Sequence, residues 1–510
     1  MGNLLGTARQ QEPSSKTEEA ARDSDEPEEI KPRKEECKEC KECCTKIEVI
    51  DLDALRKEVE ELKANPPAYV SQIGELVLPA LLSNEEGELV KPDPEKGPWE
   101  LTMSVSGKDG DDAYGFPFRI RMRFRKTWPT TPALVRFMCV FHHALTDESE
   151  AMVQPFYRSL DKNDDGQHTL RLMVKGVHDF LVDPLESWGM SQDQVPMRLK
   201  LAVESNRKQS AERFSTIQKY AKQVKHPDLF LTPALWKDEW FAPDFLKAME
   251  ENSEDAWRAL VLEELPGEVF SFQMFTDEFC DKFVEEIFNF YASGLPARRP
   301  NSMNNYGIIL NEIGLEPMID LLQRKLQPLG DLYFPGAGNG WDGHHCFIVR
   351  YRENEDLGLD MHTDDSDVTF NVCLGLEFKG AGLQFCGHMG AANHRKHTYT
   401  YMHSKGRCVF HLGRKRHGAD DISEGERLNM ILWNHSSAYR ESNEYTDPDY
   451  HKEEGPPDAV CVSYTHDRDY GNFKEYPKGK EKFRGRGWCP PKQFQYDDFK
   501  PDSTNEVIRG

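Results

Sequence analysis

Hydrophobic residues in the first part of the chain fall at two different spacings. From 52 to 62 they stand three or four positions apart, which predicts an amphipathic helix that ends at Asn65-Pro66-Pro67. From 116 to 124 they alternate strictly with polar residues, which predicts a strand with one buried face. A second strand is predicted over 135–139, and a second amphipathic helix over 170–181. These elements together predict an α+β domain.

The pattern in the second half begins with another helix and then changes to short strands. Residues 279–290 carry large apolar side chains at helical spacing, and Thr276 or Asp277 can cap this helix. From 345 to 437, short alternating segments are separated by Gly, Asp and Asn. This arrangement is typical of an all-β assembly of about eight strands.

The segments outside these two regions are more polar. Residues 1–48 are rich in Glu, Lys and Ser, and they hold too few large apolar side chains to offset the entropy of ordering, so we predict a disordered tail. Four cysteines in this tail have no matching second pair nearby, which favours a flexible segment over a zinc site; they are Cys37, Cys40, Cys43 and Cys44. The predicted order is the tail at 1–48, the α+β domain at 49–225, a linker at 226–256, the β domain at 257–440 and a polar extension at 441–510.

Charge and composition narrow the classes of function and the compartment. The formal net charge of −24 argues against a general nucleic-acid binder, because phosphate backbones attract clustered Lys and Arg. No run approaches the roughly 20 apolar residues that span a bilayer, and no secretory signal is visible. We therefore predict an intracellular, cytoplasmic protein with reduced thiols. Acylation of Gly2, which would add a peripheral membrane anchor, stays open, because Gly6 stands where the motif wants Ser or Thr.

One constellation in the β region has the residue types of a metal site. His362-Thr363-Asp364 places two side chains at alternate positions of a strand or its end, so both can face one cation. His417 stands 53 residues after Asp364 and completes a set of two histidines and one carboxylate. This set leaves positions open for other ligands and is the signature of non-heme iron(II) oxygenases. Seven other histidines have no such spacing; they are His344, His345, His388, His394, His397, His403 and His411.

In order and spacing, these residues resemble the prolyl-4-hydroxylase-like branch of the 2-oxoglutarate dioxygenases over about 257–440. The resemblance rests on Tyr351, His362-Thr363-Asp364, the turn Gly380-Ala381-Gly382-Leu383-Gln384-Phe385, His417-Gly418 and Gly425-Glu426-Arg427. One departure is Ala381, which stands where the family has a second glycine.

The resemblance implies a double-stranded β-helix, or jelly roll, with flanking helices. It also implies iron(II) bound by His362, Asp364 and His417, and 2-oxoglutarate held by Arg427 and Tyr351, with Thr369 lining the pocket. A guanidinium suits this role because it can bind a carboxylate through two hydrogen bonds. Dioxygen is implied as a substrate and L-ascorbate as the reductant. An alternative for Arg427, pairing with the surface acids Glu424 or Glu426, stays open.

The N-terminal region resembles the ubiquitin-conjugating fold over about 49–225. It has the order of a helix ending at prolines, antiparallel strands, a proline turn at Trp128–Pro132, a loop at His142-His143-Ala144, and a helix ending at Asp-Pro. The family's nucleophilic cysteine would fall near Met152 or Val153, where this chain has none. Since no thioester can form without a thiolate, the resemblance implies a catalytically inactive variant that binds or scaffolds.

Two hypotheses from different classes follow. The first is an iron(II)- and 2-oxoglutarate-dependent dioxygenase that hydroxylates a protein side chain, proline or lysine, with an N-terminal module that binds ubiquitin or a ubiquitin-conjugating enzyme. The second is a ubiquitin-pathway adaptor or scaffold whose oxygenase acts on a small molecule or is secondary. The two can coexist if the module raises the local concentration of a partner.

The missing cysteine gives a direct prediction. The protein, incubated with ubiquitin-activating enzyme, ATP and ubiquitin, should form no adduct that dithiothreitol removes, because no thiol lies at the family's nucleophile position. Non-reducing electrophoresis checks this, with an active conjugating enzyme as the positive control. A dithiothreitol-sensitive adduct mapped to Cys139 would contradict the inactive reading.

Overall fold

The computed structural model of the protein describes residues 50–452, apart from 85, 95–96, 139–145, 147–151, 153, 184–195, 231–235, 302, 390 and 392–396. The predictions for Gly2, the cysteine-bearing tail, Cys139, the loop at 142–144 and the segment 453–510 lie outside these residues. All described residues belong to one compact unit, which begins at Val49.

The N-terminal region is a four-stranded antiparallel sheet with helices packed on one face. Its elements are α1 (Leu52–Ala64), β1 (Val70–Ser71), β2 (Leu82–Ser83), β3 (Leu89–Val90), β4 (Trp99–Val105), β5 (Phe118–Phe124), β6 (Leu134–Phe137), α2 (Gln154–Ser159), α3 (Leu170–Val182) and α4 (Met197–Tyr220). The sheet has the order β1-β4-β5-β6, and β2 pairs separately with β3. The predicted helices at 52–62 and 170–181 and the predicted strand at 116–124 are confirmed within two residues at each end.

The α1 helix begins where the sequence allows it. Asp51 caps it by accepting a hydrogen bond from the amide of Ala54 at 3.0 Å, and the helix ends before the proline pair. The buried face of α1 packs with that of α3 over the apolar side of β4 and β5, so the helical and alternating patterns meet in one core.

The second region is built on two facing sheets. Its elements are α5 (Pro243–Glu251), α6 (Glu254–Leu260), β7 (Leu262–Leu265), β8 (Val269–Gln273), α7 (Asp277–Ala292), β9 (Gly307–Ile309), α8 (Glu316–Tyr333), β10 (Gly343–Arg352), β11 (Leu359–His362), β12 (Val368–Gly375), β13 (Phe378–Gly380), β14 (Leu383–His388), β15 (Tyr399–Tyr401), β16 (Arg407–Leu412), β17 (Lys415–Ala419), β18 (Ile422–His435), α9 (Ser437–Arg440) and α10 (Asn443–Thr446). The larger sheet has the order β7-β8-β16-β12-β18-β10-β9, with β13 added along β18. The smaller sheet has the order β11-β17-β14-β15. Antiparallel pairing throughout, in two facing sheets, agrees with the expected jelly roll.

The larger sheet separates two environments. Its outer face, which carries Phe370, Phe410 and Leu432, packs on α7 and α8 in the largest hydrophobic core. Alternate residues of the same strands point to the inner face, toward the smaller sheet. The helix predicted from Phe279 is confirmed as α7, and Thr276 caps it, with its side chain accepting from the amide of Phe279.

Several aromatic residues of the segment predicted as a linker, 226–256, lie in the core of the second region. Trp236, Trp240 and Phe245 are between 0% and 8% exposed and pack with residues of β8 and α7. The indole Nε1 of Trp236 donates to the carbonyl of Met318 at 2.9 Å. A connector would expose these rings, whereas here their burial covers the outer side of the sheet. The exact domain boundaries stay a prediction.

No helix in the described part of the chain combines the length and the apolar character that a bilayer crossing requires.

The packing of Trp236 predicts a large effect on stability. Trp236→Ala should lower the free energy of unfolding by about 3–5 kcal/mol, because a buried ring is lost and a cavity remains. Glu239→Ala is the matched control, since this side chain is 72% exposed in the same segment, and it should change the value by less than about 0.5 kcal/mol. Urea denaturation measures both free energies of unfolding. Far-ultraviolet circular dichroism is the signal, because it reports the backbone and does not need Trp236. Equal urea midpoints for the two variants would contradict the role of Trp236 in the core and support a connector.

Candidate metal and cosubstrate site

The two predicted histidine ligands face each other across a strand pair. β11 and β17 are antiparallel neighbours, and His362 is directly opposite His417 in their register. The centroids of the two imidazole rings are 4.4 Å apart. The chain from Asp364 to His417 therefore folds back through the five strands β12 to β16 and returns the second histidine beside the first.

Asp364 completes the cluster from the loop that follows β11. One carboxylate oxygen lies 3.3 Å from Nε2 of His362, and the other lies 3.4 Å from Nε2 of His417. Ligand atoms of the three residues all lie within 4.8 Å of one another. Because a side chain from each of three positions converges on one point, the donor set fits a divalent cation with open positions on its other side.

Neighbouring groups orient two of these side chains. Nδ1 of His417 lies 2.8 Å from the carbonyl oxygen of Lys415, which can only accept, so Nδ1 carries the proton and Nε2 is left with a lone pair for a metal. Thr369 donates its hydroxyl proton to Asp364 at 2.7 Å. Thr369 also lines the cavity, as predicted for the cosubstrate pocket, but its hydrogen bond goes to the aspartate.

The electrostatics of the cluster keep its carboxylate charged. Burial would raise the pKa of Asp364, but His417 and His362 hold that pKa well below its usual range. Burial lowers the pKa of His417, and Asp364 outweighs this and raises it. An anionic carboxylate is the form that coordinates a metal, whereas the raised pKa of His417 favours an imidazolium, whose proton a metal would displace.

Arg427 lies deeper in the same cavity. It is 1% exposed, and its guanidinium carbon lies 4.8 Å from the centroid of the Tyr351 ring, which is its register partner in β10. Nη1 donates to the carbonyl of Ala381, and Nε has no partner among the described residues. Burial lowers the pKa of Arg427, while Tyr351 and Cys373 act in the opposite direction.

The alternative for Arg427, a surface ion pair, does not match this placement. Glu424 pairs with Lys379 at 2.6 Å, and Glu426 lies 3.7 Å from Arg350. Within the described ranges, no carboxylate forms an ion pair with Arg427. A buried cation without an acidic partner is costly, so the site is suited to a ligand that brings a carboxylate.

The departure at Ala381 sits against this arginine. Ala381 has a φ of +53°, a left-handed conformation in which an L residue is strained and a glycine is not. The carbonyl that accepts from Arg427 belongs to this residue. A glycine at this position would relieve the strain.

The cavity joins these groups and encloses about 420 Å³ including its open mouth. The metal cluster, Arg427, Tyr351 and Thr369 all line it, together with the apolar side chains Phe347, Val349, Leu359, Leu383 and Ile431. All six residues predicted for the site are therefore brought together around one space.

Three residues near the site belong to none of the sequence motifs described above. Asn304 lies in the loop just before β9, is fully buried and donates to the hydroxyl of Tyr351 at 3.3 Å. Asn371 lines the cavity two positions beyond Thr369 on β12, where alternation from Thr369 could have revealed it. His411 lacks the sequence spacing of a metal ligand, yet its ring centroid lies 4.5 Å from that of His417. Burial, and to a smaller extent the charge of His417, lowers the pKa of His411 to about 3. His411 therefore packs against His417 as a neutral imidazole.

Comparison with solved structures gives only weak likenesses. A prolyl hydroxylase from Trichoplax adhaerens, in complex with a peptide fragment of the hypoxia inducible factor oxygen degradation domain, shares 12% identity and covers 40% of this chain and 98% of its own, with a TM-score of 0.31. Human ubiquitin-conjugating enzyme E2 G1 shares 18% identity and covers 26% of this chain and 93% of its own, with a TM-score of 0.18. TM-scores this low carry no argument, so the ubiquitin-conjugating resemblance of 49–225 stays a prediction.

Comparison of sequences is more informative. A family model described as an OGFOD2-like domain matches residues 217–339, which includes the segment predicted as a linker and ends before the metal cluster. The 2-oxoglutarate and iron-dependent oxygenase domain-containing protein CP2 of Arabidopsis thaliana is 42% identical over 231 residues, which is 43% of this chain and 57% of CP2. The chain thus spans little more than half the length of this plant relative.

A vertebrate relative is covered more fully. The 2-oxoglutarate and iron-dependent oxygenase domain-containing protein 2 of Xenopus tropicalis is 36% identical over 253 residues, which is 48% of this chain and 71% of the frog protein. At this identity and coverage, and with the cluster of His362, Asp364 and His417 in place, the chain belongs to the family of 2-oxoglutarate and iron-dependent oxygenase domain-containing proteins.

Proposed function

We propose that the protein is an iron(II)- and 2-oxoglutarate-dependent dioxygenase that hydroxylates a protein side chain, proline or lysine. The observation that carries the proposal is one cavity with a two-histidine, one-carboxylate cluster near its mouth and a buried arginine without an acidic partner inside it. The overall reaction converts 2-oxoglutarate, dioxygen and a C–H bond into succinate, carbon dioxide and a C–OH group, so atoms and electrons balance.

The metal cluster fits iron(II) by its donor chemistry. His362, Asp364 and His417 would hold the ion, which when bound supplies the activation of dioxygen that C–H hydroxylation needs. The protein contributes geometry. The carbonyl of Lys415 fixes the tautomer of His417, and the hydroxyl of Thr369 restrains Asp364, so that little rearrangement is needed on binding.

The far end of the cavity suits the distal carboxylate of 2-oxoglutarate. A carboxylate that enters this space loses water, and Arg427 compensates for the loss with charge and a pair of planar donors. The hydroxyl of Tyr351, oriented by Asn304, can donate to the same carboxylate. The cosubstrate in turn neutralises a cation that is buried without a partner, so binding relieves a cost that the folded chain carries alone.

The walls around the metal cluster limit the access of water. Phe347, Val349 and Ile431 are at most 7% exposed and lie on the inner face of the larger sheet beside the cluster. A dry site strengthens the electrostatic contacts inside it and protects the reacting centre from side reactions. L-Ascorbate is proposed as the reductant that keeps iron in the ferrous state.

The lining of the cavity supports a side chain as the substrate. Apolar residues such as Phe347, Leu359 and Leu383 flank the metal cluster on the same space that Arg427 lines. The choice of proline or lysine follows from the resemblance to prolyl 4-hydroxylases.

The N-terminal module is proposed to bind ubiquitin or a ubiquitin-conjugating enzyme. The predicted order of helix, antiparallel strands and helix supports this, since α1, the β4-β5-β6 meander and α3 are present in that order. In the alternative function, a ubiquitin-pathway adaptor, this module would provide the binding surface. A cytoplasmic location and a Gly2 anchor stay predictions.

Loss of a metal ligand should weaken metal binding. Asp364→Ala and His362→Ala each remove one of three ligands, so the affinity for Co(II), measured by its visible absorption and by calorimetry, should fall by more than about tenfold. His397→Ala is the matched control, because His397 is exposed and, among the described residues, hydrogen-bonds only with Thr400. Wild-type affinity in either ligand variant would remove the cluster from the mechanism.

The role of Arg427 gives the test of the proposed function. With iron(II) saturating, succinate formation by the wild type should depend on 2-oxoglutarate, and Arg427→Ala should raise the Michaelis constant at least about tenfold, or ~1.4 kcal/mol. Arg427→Lys should fall between the two, since it keeps the charge and loses the planar fork. Arg352→Ala is the control, because this arginine follows Tyr351 on β10 and is 43% exposed.

A second readout separates binding from folding. Since Arg427 is buried without an acidic partner, Arg427→Ala should leave the melting temperature without ligand unchanged or higher, while 2-oxoglutarate no longer raises it. Unchanged Michaelis constants in both variants would mean that the cosubstrate lies elsewhere. Absence of succinate from the metal-loaded wild type would overturn the dioxygenase proposal itself.

A further inference from the structure

The polar face of β5 is buried against the ends of the oxygenase strands. Arg121, in the middle of this strand, is 7% exposed. Its guanidinium donates to Asp342 at 2.5 Å and to the hydroxyl of Ser437 at 2.9 Å. Asp342 directly precedes β10, and Ser437 begins α9 just after β18. A single side chain of the N-terminal module therefore joins the start of one strand to the end of its neighbour.

These contacts form a closed set around α9. The carboxylate of Asp342 accepts from both the amide, at 3.1 Å, and the hydroxyl of Ser437. Burial would raise the pKa of Asp342, but Arg121 and Arg136 hold it at about 2. The carboxylate is thus charged, and its position depends on the arginines that face it.

α9 in turn holds the loop that follows the metal ligand Asp364. The amide of Ser436 donates to Asp367 at 2.6 Å, and Arg440 donates to the other oxygen of Asp367 at 2.8 Å. Arg440 also donates to Asp365 at 2.9 Å. The side chain of Asp367 is fully buried, so both of its oxygens are fixed by α9 and the residue before it.

The backbone of this loop carries the connection to the ligand. The amide of Gly413 donates to the carbonyl of Asp367 at 3.1 Å, and the amide of Asp364 donates to the carbonyl of Gly413 at 2.9 Å. Gly413 has no room for a side chain, since a Cβ there would overlap the backbone of Ser366. Movement of Asp367 would therefore shift the loop on which Asp364 is placed.

We propose that Arg121 is a positioning residue for the metal site, acting through Ser437, α9 and Asp367 on Asp364. The N-terminal module would then be a structural part of the oxygenase site and not only a binding appendage. The inference rests on the proposed function for the identity of the metal, while the positioning itself concerns only where Asp364 is held. Residues that orient metal ligands from outside the coordination shell commonly change affinity by about tenfold or more.

A matched pair of arginines on β5 allows a clean test. Arg121→Lys keeps the charge but cannot reach both Asp342 and Ser437 with a planar fork. Arg119→Lys makes the same change two residues away on the same face, where Arg119 donates to Asp320 of α8 at 2.9 Å and has no link to α9. Ser437→Ala removes the hydroxyl and leaves every charge in place.

The readouts are Co(II) affinity, melting temperature without metal, and the Michaelis constant for 2-oxoglutarate. Arg121→Lys and Ser437→Ala should weaken Co(II) binding at least about threefold, with altered visible absorption, and Arg119→Lys should stay within about twofold of the wild type. The double variant Arg121→Lys/Ser437→Ala should lose less Co(II) binding free energy than the sum of the two single losses, because both residues act through the same contact. The Michaelis constant for 2-oxoglutarate should change little, because Arg427 lies outside this connection.

Equal Co(II) affinities for Arg121→Lys and Arg119→Lys, with lowered melting temperatures in both, would overturn the proposal and reduce Arg121 to a contact that joins the two regions. If Arg121→Lys does not fold, Ser437→Ala against Arg119→Lys decides by the same criterion. A wild type that binds Co(II) but releases no succinate with iron would overturn the dioxygenase function and not the positioning. A wild type that binds no Co(II) would overturn both.

Discussion

The antiparallel register of β18 with β10 and β12 is the constraint on which the site depends. β18 is 14 residues long and lies between these two strands, with Arg427 opposite Tyr351 and Trp433 opposite Thr369. Since side chains alternate between faces, a shift of one residue would turn Arg427 into the helix-packed core and bring Leu428 into the cavity. The apolar outer face, covered by α7 and α8, makes that shift too costly.

Within this register, the site holds one arrangement that is costly for the fold. The guanidinium of Arg427 is buried against a carbonyl and aromatic rings, and no carboxylate among the described residues pairs with it. A dicarboxylate ligand would relieve this cost, which is common where a fold gives up stability to bind a ligand. The strained turn at Ala381 lies beside the same arginine.

The two regions share more than a connection along the chain. The arginines of β5 meet acids of α8 and of the segment before β10, and the aromatic segment from Trp236 to Phe245 covers the outer side of the larger sheet. In the family model, the match begins at residue 217, within α4, which agrees with a structural unit that includes this segment. Arginine–aspartate ion pairs therefore connect the N-terminal region with the oxygenase region.

The sequence by itself determined the elements and the chemistry that depend on local spacing. The helical periodicity at 52–62 and the alternation at 116–124 follow from chain geometry, and the set of His362, Asp364 and His417 follows from the chemistry of metal ligands. The role of Arg427 followed only from the resemblance to a known family. The tertiary structure decided what those patterns could not. Arg121 is one of the polar residues of the alternating strand, and its burial depends on Asp342, which is 221 residues away. Asn304 reaches Tyr351, and His411 reaches His417, only because strands distant in sequence pair in one register. The segment around Trp236 has no periodicity, so its place in the core was visible only once the sheet it covers had formed. Whether a polar or aromatic side chain is buried depends on the partner that a distant segment supplies, and local spacing carries no information about that partner.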